Sequence, residues 1–262
     1  MPMCADTFTN KERDERFARA LDRIVHPGAR GRHGIGMQKE KTLHAVLKAY
    51  EDPDEDHHEI PIENYIADIY CEKTMSITEI QTANMGYLRE KLKVFLPLYH
   101  VTVVYPIPAG KWVTWVDPET GELEKRNRSP KKGNYYNAFK ELYKISSYLD
   151  HPNLDIKLIL LDIEEYRLRD GWGRDGKRGS HRFDRIPTRI VSETVLTQPR
   201  DYLQFIPYDL KEPFTARELA VSCGCPRESF STQALILRKL GVIEMTGKRG
   251  RSYLYRVAPQ ID

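Results

Sequence analysis

Two short runs, YIADIYC (65–71) and SITEIQT (76–82), carry β-branched and aromatic residues at alternate positions and are joined by the tight connection EKTM. Alternation of this kind marks strands, because successive side chains point to opposite faces of a sheet. A hairpin closing at Lys73-Thr74 gives a register in which facing residues sum to 147, which sets Asp68 against Glu79. Like charges facing each other across a ladder destabilise it, and charged residues are rarely interred without a partner. The pair therefore calls for a compensating cation. Mg²⁺ suits such a pair, because it takes hard oxygen ligands, often one or two carboxylates completed by water and phosphate.

The segments around the hairpin restrict the architecture further. Residues 39–50, KEKTLHAVLKAY, place Leu43, Val46, Leu47 and Tyr50 at helical spacing, with Glu40 one turn before Leu43. HEIPI (58–62) reads as a strand and Glu63-Asn64 as the turn into its partner. Leu88, Leu92, Phe95 and Tyr99 predict a second helix, and VTVVYPI (101–107) is a continuous apolar run typical of a buried strand. The order is helix, three strands, helix, strand. Beyond it, KWVTWVDPETGELEKR reads as a hairpin turning at Pro118–Gly121, NAFKELYKISSYL as a helix, and LDIKLILLDIEEYRL as a long strand. A Gly-rich loop over 167–189 and a linker over 191–204 are expected to follow.

Charge is distributed unevenly. The net charge is +3, yet residues 211–262 alone hold nine Lys/Arg against five Asp/Glu. Residues 167–189 hold eight Lys/Arg against three Asp. Clusters of this kind are the footprint of a polyanion binder, so Arg174, Lys177, Arg178 and Arg182 are candidate DNA contacts. No apolar stretch approaches the roughly 18 residues of a membrane span, and residues 1–20 lack the apolar core of a signal peptide. These features predict a cytoplasmic protein without a membrane partner. Four scattered cysteines (Cys4, Cys71, Cys223, Cys225) fit neither a disulfide framework nor a zinc site.

The order of elements, with Asp68 on the second strand and Glu79-Ile80-Gln81 on the third, resembles the PD-(D/E)xK restriction-endonuclease-like superfamily over about residues 37–108. That resemblance implies an α/β fold: a restriction-endonuclease-like α+β core whose mixed sheet is flanked by helices. It also implies metal-dependent hydrolysis of phosphodiesters. Asp68, Glu79 and the Ile80 carbonyl would hold Mg²⁺ or Mn²⁺, and Glu40 matches the acidic residue that many members carry on the first helix. Where the superfamily usually has Lys, this chain has Gln81. An amide neither accepts a proton nor carries charge, so Gln81 would position water, leaving the metal to acidify it. Asp68 paired with Lys93 or Arg89, and Glu79 on an exposed edge, is the plain structural alternative.

The C-terminal segment contains two helices, the second with a face of Phe230, Ala234, Leu237 and Leu240, and then a hairpin tipped by GKRGR (247–251). This is similar to a winged helix-turn-helix, a second and smaller domain over 205–262. It implies a recognition helix beginning near Arg227 that presents Ser229, Thr232 and Gln233 to the major groove, and a wing carrying Lys248, Arg249 and Arg251. The expected organisation is an N-terminal polar extension (1–36), a nuclease-like domain (37–190), the linker (191–204) and the winged helix. Duplex DNA is the expected partner, and a homodimer is compatible with this reading. The functions implied are a DNA endonuclease in restriction, phage defence or repair, a transposase-type end-cleaving subunit, or a transcriptional regulator whose nuclease-like domain is silent.

Overall fold

The structure, a computed structural model, describes residues 9–25, 41–172, 178–225 and 229–259. Helix α1 (Asn10–Val25) and helix α2 (Thr42–Glu51) come first. Strands β1 (His58–Ile62), β2 (Tyr65–Cys71) and β3 (Ser76–Ile80) form an antiparallel meander. A 3₁₀ turn at Met85–Leu88 leads into α3 (Arg89–Phe95), which connects β3 to β4 (His100–Val116). β4 runs parallel to β3. The short β5 (Asn127–Arg128) pairs antiparallel with β4, and α4 (Phe139–Leu142) precedes β6 (Leu154–Trp172), which is parallel to β4. β7 (Arg178–Leu196) returns antiparallel to β6. The resulting mixed sheet has the order β1-β2-β3-β4-β6-β7, with β5 on the edge of β4.

Helices cover both faces of this sheet. On one side, Leu43, Val46, Leu47 and Tyr50 of α2 and Phe17 and Ala20 of α1 pack on Ile80, Val104, Ile159, Leu161 and Ile190. The ten residues of α2 are too few for a helix stable in isolation. Burial of this stripe is what holds it, at roughly 1.5–3 kcal/mol for each large apolar side chain. The opposite face packs Ile77, Val101, Val103, Ile156 and Leu158 against Leu88, Leu92 and Phe95 and against Phe139 and Leu142. Among the described residues no helix is long and apolar enough to cross a membrane.

Three expectations are corrected. The apolar run 101–107 and the first half of the expected hairpin are one strand, β4. Pro106 and Pro108 lie inside it because β3 stops at Ile80, opposite Val104; from there one edge of β4 has no β3 partner, and a missing N–H is tolerated. The basic segment 167–189 is not a loop. Its described residues belong to the ends of β6 and β7, a hairpin whose 19-residue strands are about 60 Å long. Pairing with a neighbouring strand overrides the Gly and charge content from which a loop was read. Finally, residues 191–196 complete β7, and Pro199–Phe205 forms a 3₁₀ helix that buries Tyr202 and Phe205, so the expected linker is packed structure.

The C-terminal segment forms β8 (Phe214–Thr215), α5 (Ala216–Ser222), α6 (Phe230–Lys239), β9 (Ile243–Arg249) and β10 (Ser252–Val257), with the sheet order β8-β10-β9. Thr215 and Glu218 form a reciprocal capping box that starts α5. This unit is not tethered at a distance. Leu219, Ala234, Ile236 and Leu237 belong to the same buried cluster as α3 and α4; Phe205 packs its ring 5.2 Å from Phe139 and 5.8 Å from Tyr136, and its carbonyl accepts from Cys223 Sγ at 3.4 Å.

Candidate active site

The β2–β3 ladder has the predicted register: Ile69 faces Thr78, Tyr70 faces Ile77 and Cys71 faces Ser76. It ends at the pair 69/78, one residue short of the carboxylates. β3 stays bonded to β4, and Gln81 N–H continues that pairing by donating to the Val104 carbonyl at 2.9 Å. β2 and β3 thus part at Asp68 and Glu79. In place of a ladder carbonyl, Asp68 Oδ2 accepts the Ile80 N–H at 2.7 Å, while the Asp68 N–H points to Glu79 Oε1 at 3.4 Å.

Both carboxylates have cationic or titratable neighbours that differ from the expected ones. Asp68 pairs with neither Lys93 nor Arg89, and Lys91 of α3 donates to Glu79 Oε2 at 2.7 Å and to the Ile66 carbonyl at 2.7 Å. His44 of α2 places Nε2 3.2 Å from Asp68 Oδ2. Arg89 instead donates to the Lys144 carbonyl. Glu79 is not on an exposed edge: it is 2% exposed. Burial, and then the nearby Asp68 charge, push its carboxyl up to about 7, against the opposing pull of Lys91. Burial pushes Asp68 up as well, but His44, the Ile80 N–H and Lys91 outweigh it and hold this carboxyl below the usual range. Two facing acids thus titrate in opposite directions.

His44, Asp68, Glu79, Ile80, Gln81 and Lys91 line one open cavity of about 270 Å³, rimmed by Thr82 and Tyr87. Gln81 lies just beyond β3, and its amide Nε2 donates to the Asn84 carbonyl at 2.6 Å. Glu40 lies outside the described residues. Among the described residues no group of three or more His, Cys, Asp or Glu is arranged to hold a metal. Two carboxylates with the main chain of Ile80 are instead a sparse all-oxygen donor set. That set fits Mg²⁺, which keeps several waters, better than a cation requiring a full protein cage.

The site's frame reaches across the chain. No side chain of its own N-cap residue caps α2, whose first turn is served by Asp184 of β7: Thr42 Oγ1 and N–H donate to its carboxylate at 2.5 and 3.3 Å. The adjacent Arg185 donates to the Thr82 carbonyl on the cavity rim at 3.2 Å. Directly across the ladder from Arg185, buried Glu165 gathers Arg167 (2.5 Å), Lys111 (3.4 Å) and Arg182 (3.5 Å). Burial raises the Glu165 carboxyl, and these cations more than offset it.

The remaining predicted DNA contacts divide into groups. Arg174, Lys177 and Arg227 lie outside the described residues, and Arg178 is placed on β7 opposite Trp172 without a described side chain. Arg182 is half exposed beside Glu165. Ser229 and Gln233 are buried, which corrects their assignment to an exposed recognition face. Gln233 is i+3 from Phe230 and i−4 from Leu237, so it belongs to the apolar face of α6, and its Nε2 meets Cys223 Sγ at 3.6 Å. Thr232 is half-buried; Ser231, Leu235, Arg238 and Lys239 form the exposed side. On the β9–β10 hairpin, Arg251 is exposed, Lys248 lies over Tyr253 at 4.9 Å, and Arg249 pairs with Glu218 at 2.7 Å.

Sequence reasoning missed His44 and Lys91. A signal existed for each: Lys91 is i+3 from Leu88, and His44 is i−3 from Leu47, so both border a buried stripe.

Comparison with known proteins adds relatives without a described activity. A protein of Treponema pallidum (strain Nichols), described as an uncharacterized protein, is 28% identical over 228 residues, which is 87% of this chain and 89% of the relative. No solved structure matches significantly. The model of the family described as "Domain of unknown function (DUF8091)" matches residues 41–197, a span that contains α2, the large sheet and every described residue of the cavity. With well over half of its 262 residues matched, the chain belongs to that family.

Proposed function

We propose that the protein is a metal-dependent endonuclease that hydrolyses phosphodiester bonds in duplex DNA. The observation that carries this reading is the parting of β2 and β3 where Asp68 and Glu79 converge on an open cavity shared with Gln81 and Lys91. Asp68, Glu79 and the Ile80 carbonyl would hold Mg²⁺ or Mn²⁺. When bound, the ion supplies countercharge and makes a coordinated water acidic. The chain's own groups do the rest. Glu79 and Asp68 fix the charge of the site, and the Gln81 amide orients water without taking its proton. Lys91 brings into the cavity the ammonium that Gln81 lacks, where it offsets the charge developing on the phosphate.

Arg167, Arg182 and Arg185 lie on the arm that touches the cavity rim, with Lys111 of β4 joining them at Glu165, which favours a phosphate backbone running along it. The C-terminal helices and three-stranded sheet would act as a winged helix. Arg251 and Lys248 would make phosphate contacts, and the exposed side of α6 would face the major groove.

A second reading has one observation in its favour. Lys91 already neutralises Glu79, and the Gln81 amide is committed to Asn84, as expected of a silent nuclease-like domain in a DNA-binding regulator. Incubating the protein with supercoiled plasmid and with single-stranded DNA, in Mg²⁺, in Mn²⁺ and in EDTA, separates the two. Nicking or linearisation that requires the metal and is lost in Asp68→Ala supports the nuclease. Tight duplex binding without cleavage in either metal supports the regulator.

A further inference from the structure

We infer that the exposed strip Lys125–Lys132, laid along the edge of β4, is a contact surface for duplex DNA and guides the duplex away from the cavity. The inference takes its ligand from the nuclease reading. The strip runs antiparallel to β4. The Glu124 N–H donates to the Trp115 carbonyl at 2.9 Å, Asn127 and Arg128 pair with Val113 and Trp112, the Ser129 N–H reaches the Lys111 carbonyl at 2.8 Å, and the Gly133 N–H reaches that of Pro108 at 3.0 Å. It thus occupies the same edge of β4 that β3 occupies up to Ile80. Gln81 marks the cavity at Val104. Followed along β4, which bulges between Pro108 and Gly110, the strip runs from about 13 Å to about 36 Å of strand length beyond that point at about 3.3 Å per residue.

Charge and order both point to a polyanion. Lys125, Arg126, Arg128, Lys131 and Lys132 are all exposed, and the acids beside them are Glu124 and Glu164. The guanidinium groups of Arg126 and Arg128 stack over the Trp112 ring at 4.6 and 5.5 Å, and Arg126 is fixed further by Glu164 at 2.5 Å. Lys and Pro on a sheet edge also serve to prevent edge-to-edge pairing, but that role does not require arginines held over a tryptophan. The close seating is built in: a Cβ at position 133 would collide with the Pro108 carbonyl oxygen, so only glycine brings the strip this near to β4.

The test measures binding of a labelled duplex of about 30 base pairs by the full chain in EDTA, at salt concentrations between about 50 and 200 mM. Changing all five cations to Gln should reduce the slope of log K against log[salt] by about 4.5, at roughly 0.9 for each phosphate no longer neutralised. The milder pair Lys131→Gln and Lys132→Gln should reduce it by about 1 to 2, and it decides the matter if the fivefold variant does not fold. Gly133→Ala, which keeps every charge but displaces the strip, should also weaken binding. A wild-type slope in the folded fivefold variant, or in the pair if only that folds, overturns the inference and leaves the cations as edge protection. Cleavage by the wild type in Mg²⁺ or Mn²⁺ is scored separately. No cleavage with a reduced slope sinks the nuclease but keeps the strip, and cleavage with an unchanged slope does the reverse.

Discussion

Glu79 and Asp68 sit within one cavity yet are driven to opposite protonation behaviour, and this has a measurable sign. A carboxyl whose folded pKa lies above its unfolded value holds its proton more tightly in the folded protein. Its contribution to stability is complete below about 4.5 and is lost as the pH rises through about 7. Without metal, Glu79→Gln should therefore gain stability relative to the wild type on going from about pH 4.5 to about pH 8. The gain should be on the order of 3 kcal/mol, measured by urea melts across that range. A difference that stays flat with pH would mean that Glu79 is ionised throughout. A second expectation concerns the displaced cation. Lys91→Met should lower cleavage by about 100-fold or more, with duplex binding close to wild type. Adding Gln81→Lys to it should restore part of the rate, because the ammonium returns to the same cavity. Single-turnover rates check this, and no recovery would show that the geometry of Lys91, not its charge, matters.

At the scale of elements, the tie between α2 and β7 is the one to perturb. Asp184→Ala removes the acceptor from the first turn of α2, which has no cap of its own. Loss of a cap costs about 1–2 kcal/mol, so the urea midpoint should fall accordingly. Thr42→Val should cost less, because it leaves the Thr42 N–H still bonded to Asp184. Equal stability in Asp184→Ala would mean that water serves the helix end equally well. These elements also show what was legible in advance. The meander, its turn at Glu63-Asn64 and its register could be read from alternation and turn chemistry, which act over a few residues. α2 was readable from a stripe repeating every turn. β6 was legible as a long strand over 154–168, but the length of β4, the outer end of β6 and the whole of β7 were not, because strand pairing across distant segments decides them. Asp68 and Glu79 stood out as a local violation of burial rules. Their actual partners, His44 and Lys91, come from two helices whose placement only the tertiary fold supplies. Gln233 misled because a polar residue on a helix reads as exposed unless its phase is checked against the apolar face.

For the whole molecule, the continuous core argues against two independently folding domains. The Phe205 ring packs on Phe139 and Tyr136 and its carbonyl accepts from Cys223 of the C-terminal unit, and the same buried cluster extends from Val101 to Leu237. Thermal unfolding should accordingly show one cooperative transition by calorimetry. Phe205→Ala should cost about 3–5 kcal/mol and lower that single transition as a whole. Two separated transitions in the wild type would mean that the shared cluster is too weak to couple the units.

Asp184 and Arg185 are neighbours on β7, yet one grips the helix that carries His44 and the other grips the turn that follows Gln81. Mechanically they form a yoke. The long β6–β7 hairpin, backed by β4, is a beam, and these two residues, in the half of β7 nearer the hairpin tip, fasten it to two walls of the cavity. A displacement of this short stretch of β7 reaches both walls together, so the gap between His44 and Gln81 is tied to where Asp184 and Arg185 sit.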